Sequence, residues 1–509
     1  MEENHMEGKH VERNNVMERQ TLHFLAVCLG YAVCFAFAFY KNYVGVTFPV
    51  IVALTLAVCG VFRKKSGFSW RRENHFYVIP ILLLGISTAM TTNWFVICFN
   101  TVGILLLLVV YILRQVYPEE RWSFGQFLCN ILYYYICMIP QTAAPFLHLS
   151  AYRKRRQSDG KKKNPYARPV ALGVLIGLPM LLFVVGMLNS ADAIFEKYVG
   201  GGFRFLWEHL FIPEDVLLVA VLLAVGFFAS YSFLNVAALR DMPKWEERKA
   251  GKNPVTAITF IGMITVVYLV FCAIQLLFLF TGGFLLPEGY TYAEYAHQGF
   301  FQLLFLCIFN PALVLLCLRL FERNWLLKLM LTVFSGCTFV LIASSALRMI
   351  LYISCYHLTF LRVLVLWFLA LLTLLMAGVI CQIHRETFSL FRYGTVLVTV
   401  FYLALSLGRP DYWIASYNVS QMGNEIDYED MCYLASLSQD AAPVLARLHP
   451  EHEDHETYFD SWRGEGYACP ACVLEEYFQE IKEGEPLNIR TFNLSKYLAK
   501  KAVAQAQAE

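Results

Sequence analysis

Eleven stretches of the chain run apolar for close to the length of a membrane crossing: residues 22–40, 43–62, 76–90, 93–113, 170–188, 213–239, 255–281, 299–320, 328–353, 358–381 and 393–408. A helix rises about 1.5 Å per residue, so about 20 such residues traverse a hydrocarbon core of about 30 Å. The runs at 76–90 and 393–408 are the shortest. The expected fold is an all-α polytopic helix bundle of eleven spans, with twelve as the alternative.

Composition agrees, since 58% of the 509 residues are hydrophobic and 16% charged, more apolar surface than a soluble fold hides. The net charge of +2 is not pooled on one domain but lies in short loops, which argues against nucleic acid or an acidic partner. Of fifteen cysteines, twelve, from Cys28 to Cys381, lie in apolar runs where a thiol acts as a small hydrophobe. Cys432, Cys469 and Cys472 lie in the polar tail. Ala36-Phe37-Ala38 fits a signal-peptidase rule, but the polar leader 1–21 is long and an uncleaved anchor explains the same residues.

Lysine and arginine mark cytoplasmic loops. Arg240, Lys244, Arg248, Lys249 and Lys252 share one loop, Arg319, Arg323 and Lys328 a second, and Arg385 and Arg392 a third, while 282–298 and the turn at 355–357 carry none. Arg153-Lys154-Arg155-Arg156 with Lys161-Lys162-Lys163, and Arg63-Lys64-Lys65 with Arg71 and Arg72, then also fall inside. An even number of crossings separates those two stretches, and 76–90 and 93–113 supply it. The apolar stretch 124–147, with Pro140, Pro145 and Tyr133-Tyr134-Tyr135, is therefore expected to be interfacial or re-entrant. The layout is a cytoplasmic leader 1–21, four spans in 22–113, the interfacial segment and basic loop in 114–169, a seven-span core in 170–408 and an extracytoplasmic domain in 409–509.

Beyond Gly408 the composition turns acidic and polar, punctuated by Pro410, Pro443, Pro450, Pro470 and Pro486. Asp427 and Asp430 read as the N-cap and acidic first turn of a helix through Tyr433, Leu434 and Leu437. Val473, Leu474, Tyr477, Phe478 and Ile481 share one helix face, and Asn493 fits the cap of a last helix. Such a small helical domain has a thin core and is expected to rest on the membrane part.

Four groups of residues carry a family resemblance. They are Gly177-Leu178-Pro179 with Ser190-Ala191-Asp192-Ala193-Ile194-Phe195; Tyr292-Ala293-Glu294-Tyr295-Ala296 with Gly299-Phe300-Phe301; Leu358-Thr359-Phe360-Leu361-Arg362; and Pro410-Asp411 with Ile414-Ala415 and Tyr417-Asn418. The last continues through Asp427, Tyr433-Leu434 and Leu437-Ser438-Gln439-Asp440-Ala441. Over most of residues 170–500 the chain resembles the bacterial multi-pass families DUF4173 and DUF4153, domains of unknown function common in Gram-positive bacteria. Ser416 and His297 stand where that pattern has arginine. The resemblance implies a cell-membrane protein with an extracytoplasmic tail and brings no activity with it.

Ionisable residues at membrane depth are costly, so they mark candidate sites. Arg348 lies twenty residues beyond Lys328, about 30 Å along a helix, and Arg362 opens the next span. Both are expected at the outer interface with Asp192 and Glu294; the competing account is arginines snorkelling to headgroups. His449, His452 and His455 recur three apart among acidic residues, the pattern of either a zinc-binding cluster or a solvated acidic linker. Cys469-Pro470-Ala471-Cys472 has redox spacing but, on the sequence, no preceding strand and no second pair for zinc; outside the cell it would close a small disulfide loop. Gly200-Gly201-Gly202 reads as a flexible loop. No catalytic set is recognisable, and no cofactor is expected. The expected partners are the lipid bilayer, and envelope proteins or lipids through the tail. The leading functional expectation is a non-enzymatic envelope sensor or assembly partner. A transporter of a small solute and a membrane enzyme acting on lipid or cell-wall precursors are the alternatives.

Overall fold

The computed structural model describes residues 16–69, 74–117, 122, 124–156, 184, 213–239, 243, 251–280, 300–423, 426–449, 457–460, 464–467 and 469–506. Apolar continuity produces helices α1 Thr21–Phe39, α2 Thr47–Lys65, α3 His75–Thr88 and α4 Trp94–Val116. Then come α5 Phe124–Met138, α6 Ala144–Arg156, α7 Glu214–Leu239 and α8 Pro254–Phe280. The bundle continues with α9 Phe300–Leu320, α10 Trp325–Tyr356, α11 Phe360–His384 and α12 Leu390–Leu407. The tail adds α13 Pro410–Met422, α14 Tyr428–Ser436, the single turn α15 Ala442–Leu445, α16 Pro470–Glu483 and α17 Leu494–Ala506. Between α15 and α16, β1 Thr457–Asp460 pairs antiparallel with β2 Gly464–Tyr467.

Among the described residues nine helices, α1, α2, α4 and α7 to α12, are long and apolar enough to cross a membrane. Of the eleven expected spans, that at 76–90 is realised as α3, whose 14 residues make about 21 Å of helix. The span expected at 170–188 lies outside the described residues. The short run at 393–408 gains a turn at its start, because Ser389 caps the backbone of Arg392, and reaches 18 residues. In the stretch expected to be interfacial or re-entrant, α5 stops at Met138 and Pro140–Ala143 wind a 3-10 turn before α6. Proline lacks the N–H that would continue the α ladder.

The described chain divides into two compact units. The first holds the described parts of Met1–Lys41, Ala57–Gly67 and Ile136–Arg240. Here α1 lies along α7. The Ala32 Cα is 3.1 Å from where a Cβ on Gly226 would sit, so a glycine is what lets the two backbones approach. Asn235 donates to Gln141 of the 3-10 turn at 2.8 Å, and Lys41 binds Asp215 in the first turn of α7 at 2.7 Å.

The second unit holds the described parts of Asn42–Leu56, Phe68–Tyr135 and Asp241–Glu509. In it α3 packs on α4 and α12, α8 and α9 on α10, and α11 on α9, α10 and α12. Two polar clusters join these helices where lipid offers no hydrogen bonds. Asn100 Oδ1 on α4 accepts from Ser406 Oγ at 2.7 Å and Tyr402 Oη at 3.0 Å on α12, and its Nδ2 donates to Thr88 at 3.1 Å. Tyr268 of α8 donates to Asn310 of α9 at 3.1 Å, and Asn310 donates to Thr338 of α10 at 3.0 Å.

The tail belongs to this second unit. Its buried core of Met431, Leu434, Leu445, Leu474, Phe478, Ile481 and Val503 also takes in Leu358, Phe360 and Val363 at the start of α11. The expected helical domain thus contains a hairpin as well, and a strand ends two residues before Cys469 where none was expected. The strand Gly464–Tyr467 escapes sequence reading because four residues with two glycines show neither β-propensity nor a visible period of two.

Candidate functional site

Most of the distinctive chemistry among the described residues lies where the tail meets three short connections between helices. The α1–α2 connection holds the tail through Asn42, whose Nδ2 donates to the Arg490 carbonyl at 3.1 Å, and through Val46 N–H, which donates to the Phe492 carbonyl at 2.9 Å. Asn493 caps α17 through Ser495 N–H while its Nδ2 reaches the carbonyls of Val44 at 2.9 Å and Thr91 at 3.0 Å. On the α3–α4 connection, Thr92 Oγ1 accepts from Gln439 N–H at 3.0 Å, and the Ala89 carbonyl accepts from Leu494 N–H at 3.0 Å. At the α10–α11 connection, Asn418 brackets Leu358, accepting from its N–H at 2.9 Å and donating to its carbonyl at 2.8 Å. Phe360 N–H donates to the Tyr433 hydroxyl at 2.9 Å.

At the centre of this junction are two buried acids. Asp411, 1% exposed, lies in the first turn of α13, favourable for an anion, and its Oδ2 accepts from Asn93 Nδ2 at 2.8 Å and Ser438 N–H at 3.1 Å. Asn93 is at the same time the N-cap of α4, accepting from Val96 N–H, so one side chain both starts a span and holds the tail. Burial raises the Asp411 carboxyl above its ordinary range; the hydrogen bonds from Ser438 and Asn93 oppose this and the Asp440 charge adds to it. Asp440 is fully buried, with Oδ1 on Arg409 Nε at 2.8 Å and Oδ2 accepting from the Thr91 and Ser438 hydroxyls. Arg409 takes a left-handed backbone, φ 49°, at the N-cap of α13, which turns its side chain back onto Asp440. A buried carboxylate without such partners would cost several kcal/mol, on the order of 3 to 5 for a broken pair.

The expected outer-face cluster is only half within view. Arg348 lies half-buried on α10, and Arg362 donates to the carbonyls of Tyr356 and His357 and stacks over the Tyr352 ring at 4.4 Å, closing the end of α10. Asp192 and Glu294 lie outside the described residues, as do His452 and His455, leaving His449 the described member of the histidine series. Cys469 and Cys472 stand at the start of α16 and are not joined by a disulfide. The junction residues Thr91 and Asn93 did not stand out in the sequence, since short polar residues between apolar runs look like ordinary turns; Asn493 did as the cap of the last helix, which it is, and Asn418 as a carrier of the family resemblance. Asp411 and Asp440 did, but only as carriers of the family resemblance. A sharper signal was Asp440 followed by Ala441-Ala442, an acid set directly against small apolar residues.

Among the described residues, nine helices of spanning length with exposed apolar side chains mark an integral, multi-pass membrane protein. The chain belongs to the family described as Domain of unknown function (DUF4153), which it matches over residues 78–448. The match starts earlier than the expected 170 and stops short of α16 and α17. No curated protein and no solved structure matches the chain. The resemblance-carrying segments at 358–362, 410–418 and 433–441 prove to be the ones that meet at the junction.

Proposed function

We propose that the chain is a non-enzymatic envelope protein, a sensor or assembly partner, that presents its tail rigidly at the outer membrane face. The observation that carries this reading is the triple attachment of the tail to the connections at 42–46, 89–93 and 357–360. Four helices that meet the tail at one end bear basic residues at the other: Arg63, Lys64 and Lys65 on α2, Arg114 on α4, Arg385 after α11 and Arg392 at the start of α12. The positive-inside rule then supports a cytoplasmic N-terminus, an extracytoplasmic tail and eleven crossings. Trp94 and Trp413, both exposed, add aromatic rings at the tail end of the spans, as interfaces favour. In the same reading Asp192 or Glu294 pairs with Arg348 or Arg362 on that face. Transport and catalysis draw less support, because Asp440 uses both oxygens for holding and the amides of Asn100 and Asn310 are engaged by neighbouring helices.

The test is labelling of single cysteines by an impermeant maleimide in intact cells. Ile489→Cys, at a position 94% exposed, is expected to label directly, and Lys64→Cys only after permeabilisation. The opposite pattern would put the tail in the cytoplasm and remove the envelope reading.

A further inference from the structure

Cys469 and Cys472 open α16 as its N-cap and third helical residue. Those two positions face each other across the first turn, the geometry that capping boxes use. Residues so spaced have Cα atoms about 5 to 6 Å apart, the usual separation in a disulfide. The Cys469 side chain caps no backbone N–H. They differ in access: Cys469 is 3% exposed, whereas Cys472 is partly open to solvent. A dissolved disulfide therefore reaches Cys472 first and Cys469 only through it.

We infer that this pair is a thiol–disulfide exchange site, with Cys472 as the entry thiol and Cys469 as the resolving thiol, which closes to an intramolecular disulfide on meeting a small-molecule or protein-borne disulfide. Cys472, after losing its proton to solvent, attacks one sulfur of the incoming disulfide; a mixed disulfide forms and one thiolate leaves. Cys469 attacks the Cys472 sulfur, the internal bond forms and the second thiolate leaves. The departing thiolates take up two protons, the incoming disulfide gains two electrons and the cysteine pair loses two. The Cys472 thiol is raised above its ordinary value, first by the hydrogen bond with Cys469 and then by burial. A thiolate that is not stabilised gives no advantage to the reduced form, so the closed disulfide is a durable product rather than a strong oxidant. α16 packs on α14 and α17, so closure pins the first turn of a helix in the tail core.

Only the source of the oxidant rests on the outward placement of the tail; the exchange itself is testable on the purified full chain in detergent. After incubation with oxidised glutathione and alkylation of remaining thiols, mass spectrometry of the peptide around α16 is expected to show the loss of two hydrogens with neither cysteine alkylated. Cys469→Ser is expected to leave Cys472 trapped as a glutathione adduct, and Cys472→Ser to leave Cys469 unmodified. Wild-type chain in which both thiols remain alkylatable, or which halts at the adduct, overturns the inference, whatever the variants do. If the purified chain closes but the pair stays reduced in intact cells, the exchange site stands and the outward tail fails.

Discussion

Asp440 and Asp411 hold the tail by different means. Asp440 is charged and paired, so removing it strands the Arg409 guanidinium against a buried surface. Asp440→Ala is expected to cost about 3 kcal/mol, the lower part of the range for a broken buried pair because the Arg409 side chain is 19% exposed. Thermal unfolding in detergent reads this, and a loss below about 1 kcal/mol would mean the pair behaves as a surface ion pair. Asp411 is governed by desolvation, and its folded carboxyl is raised above the ordinary 3.8. Between that value and the raised one the folded chain keeps a proton that the unfolded chain has released. The Asp411 contribution is therefore greatest below this window and declines as pH rises through it. Asp411→Asn retains an acceptor oxygen for Asn93 and Ser438 but never ionises, so it is expected to flatten that part of the profile. Protease susceptibility of the tail measured from about pH 4 to pH 8 checks the sign; an unchanged profile would show that Asp411 does not titrate there.

The connections between helices do more than join spans. Gly45 occupies a position where any Cβ would overlap the Arg490 carbonyl oxygen and crowd the Asn42 amide. The nearer obstacle, the Arg490 carbonyl, is backbone, so it cannot swing away as a side chain would. Gly45→Ala is expected to cost about 1 to 3 kcal/mol and to loosen residues 486–495 specifically. Hydrogen exchange is the suitable readout: faster exchange at Val46 and Leu494 N–H, with the α9–α10 region unchanged, is the expected result. Uniformly faster exchange would instead point to general destabilisation. The same logic explains why Asn93 and Asn493 each carry two duties, capping their own helix and bonding across the junction. A short amide has a donor and an acceptor at one spot, which suits a crowded turn.

Tail and spans share one apolar core in the second unit, where Leu358, Phe360 and Val363 at the start of α11 pack against the tail. Truncation after Leu448 removes α16, α17 and the partners of Asn42, Val46 and Ala89. It is expected to lower the unfolding temperature of the remaining bundle, measured in detergent; an unchanged transition would show that the tail merely rests on the spans. Nine of the eleven expected spans were legible from residue order as helices of spanning length, because burying about 20 consecutive apolar residues in lipid is a local requirement that each segment meets alone. So were the Asp427 cap and the amphipathic face of α16, which depend on neighbours three and four residues away. The hairpin before Cys469, the early start of α12 and the 3-10 turn at Pro140–Ala143 shifted or refined those expectations through short-range backbone chemistry that periodicity does not capture. That the tail rests on the spans was expected from its thin core, but the pairings that make the junction were not legible. Thr91 meets Asp440, Asn93 meets Asp411 and Asn42 meets Arg490 across hundreds of residues, and nothing in a local pattern distinguishes a polar residue that bonds water from one that bonds a distant turn. Those pairings exist only once the chain has folded, when burial takes away the water and leaves each group the partner that packing has brought to it.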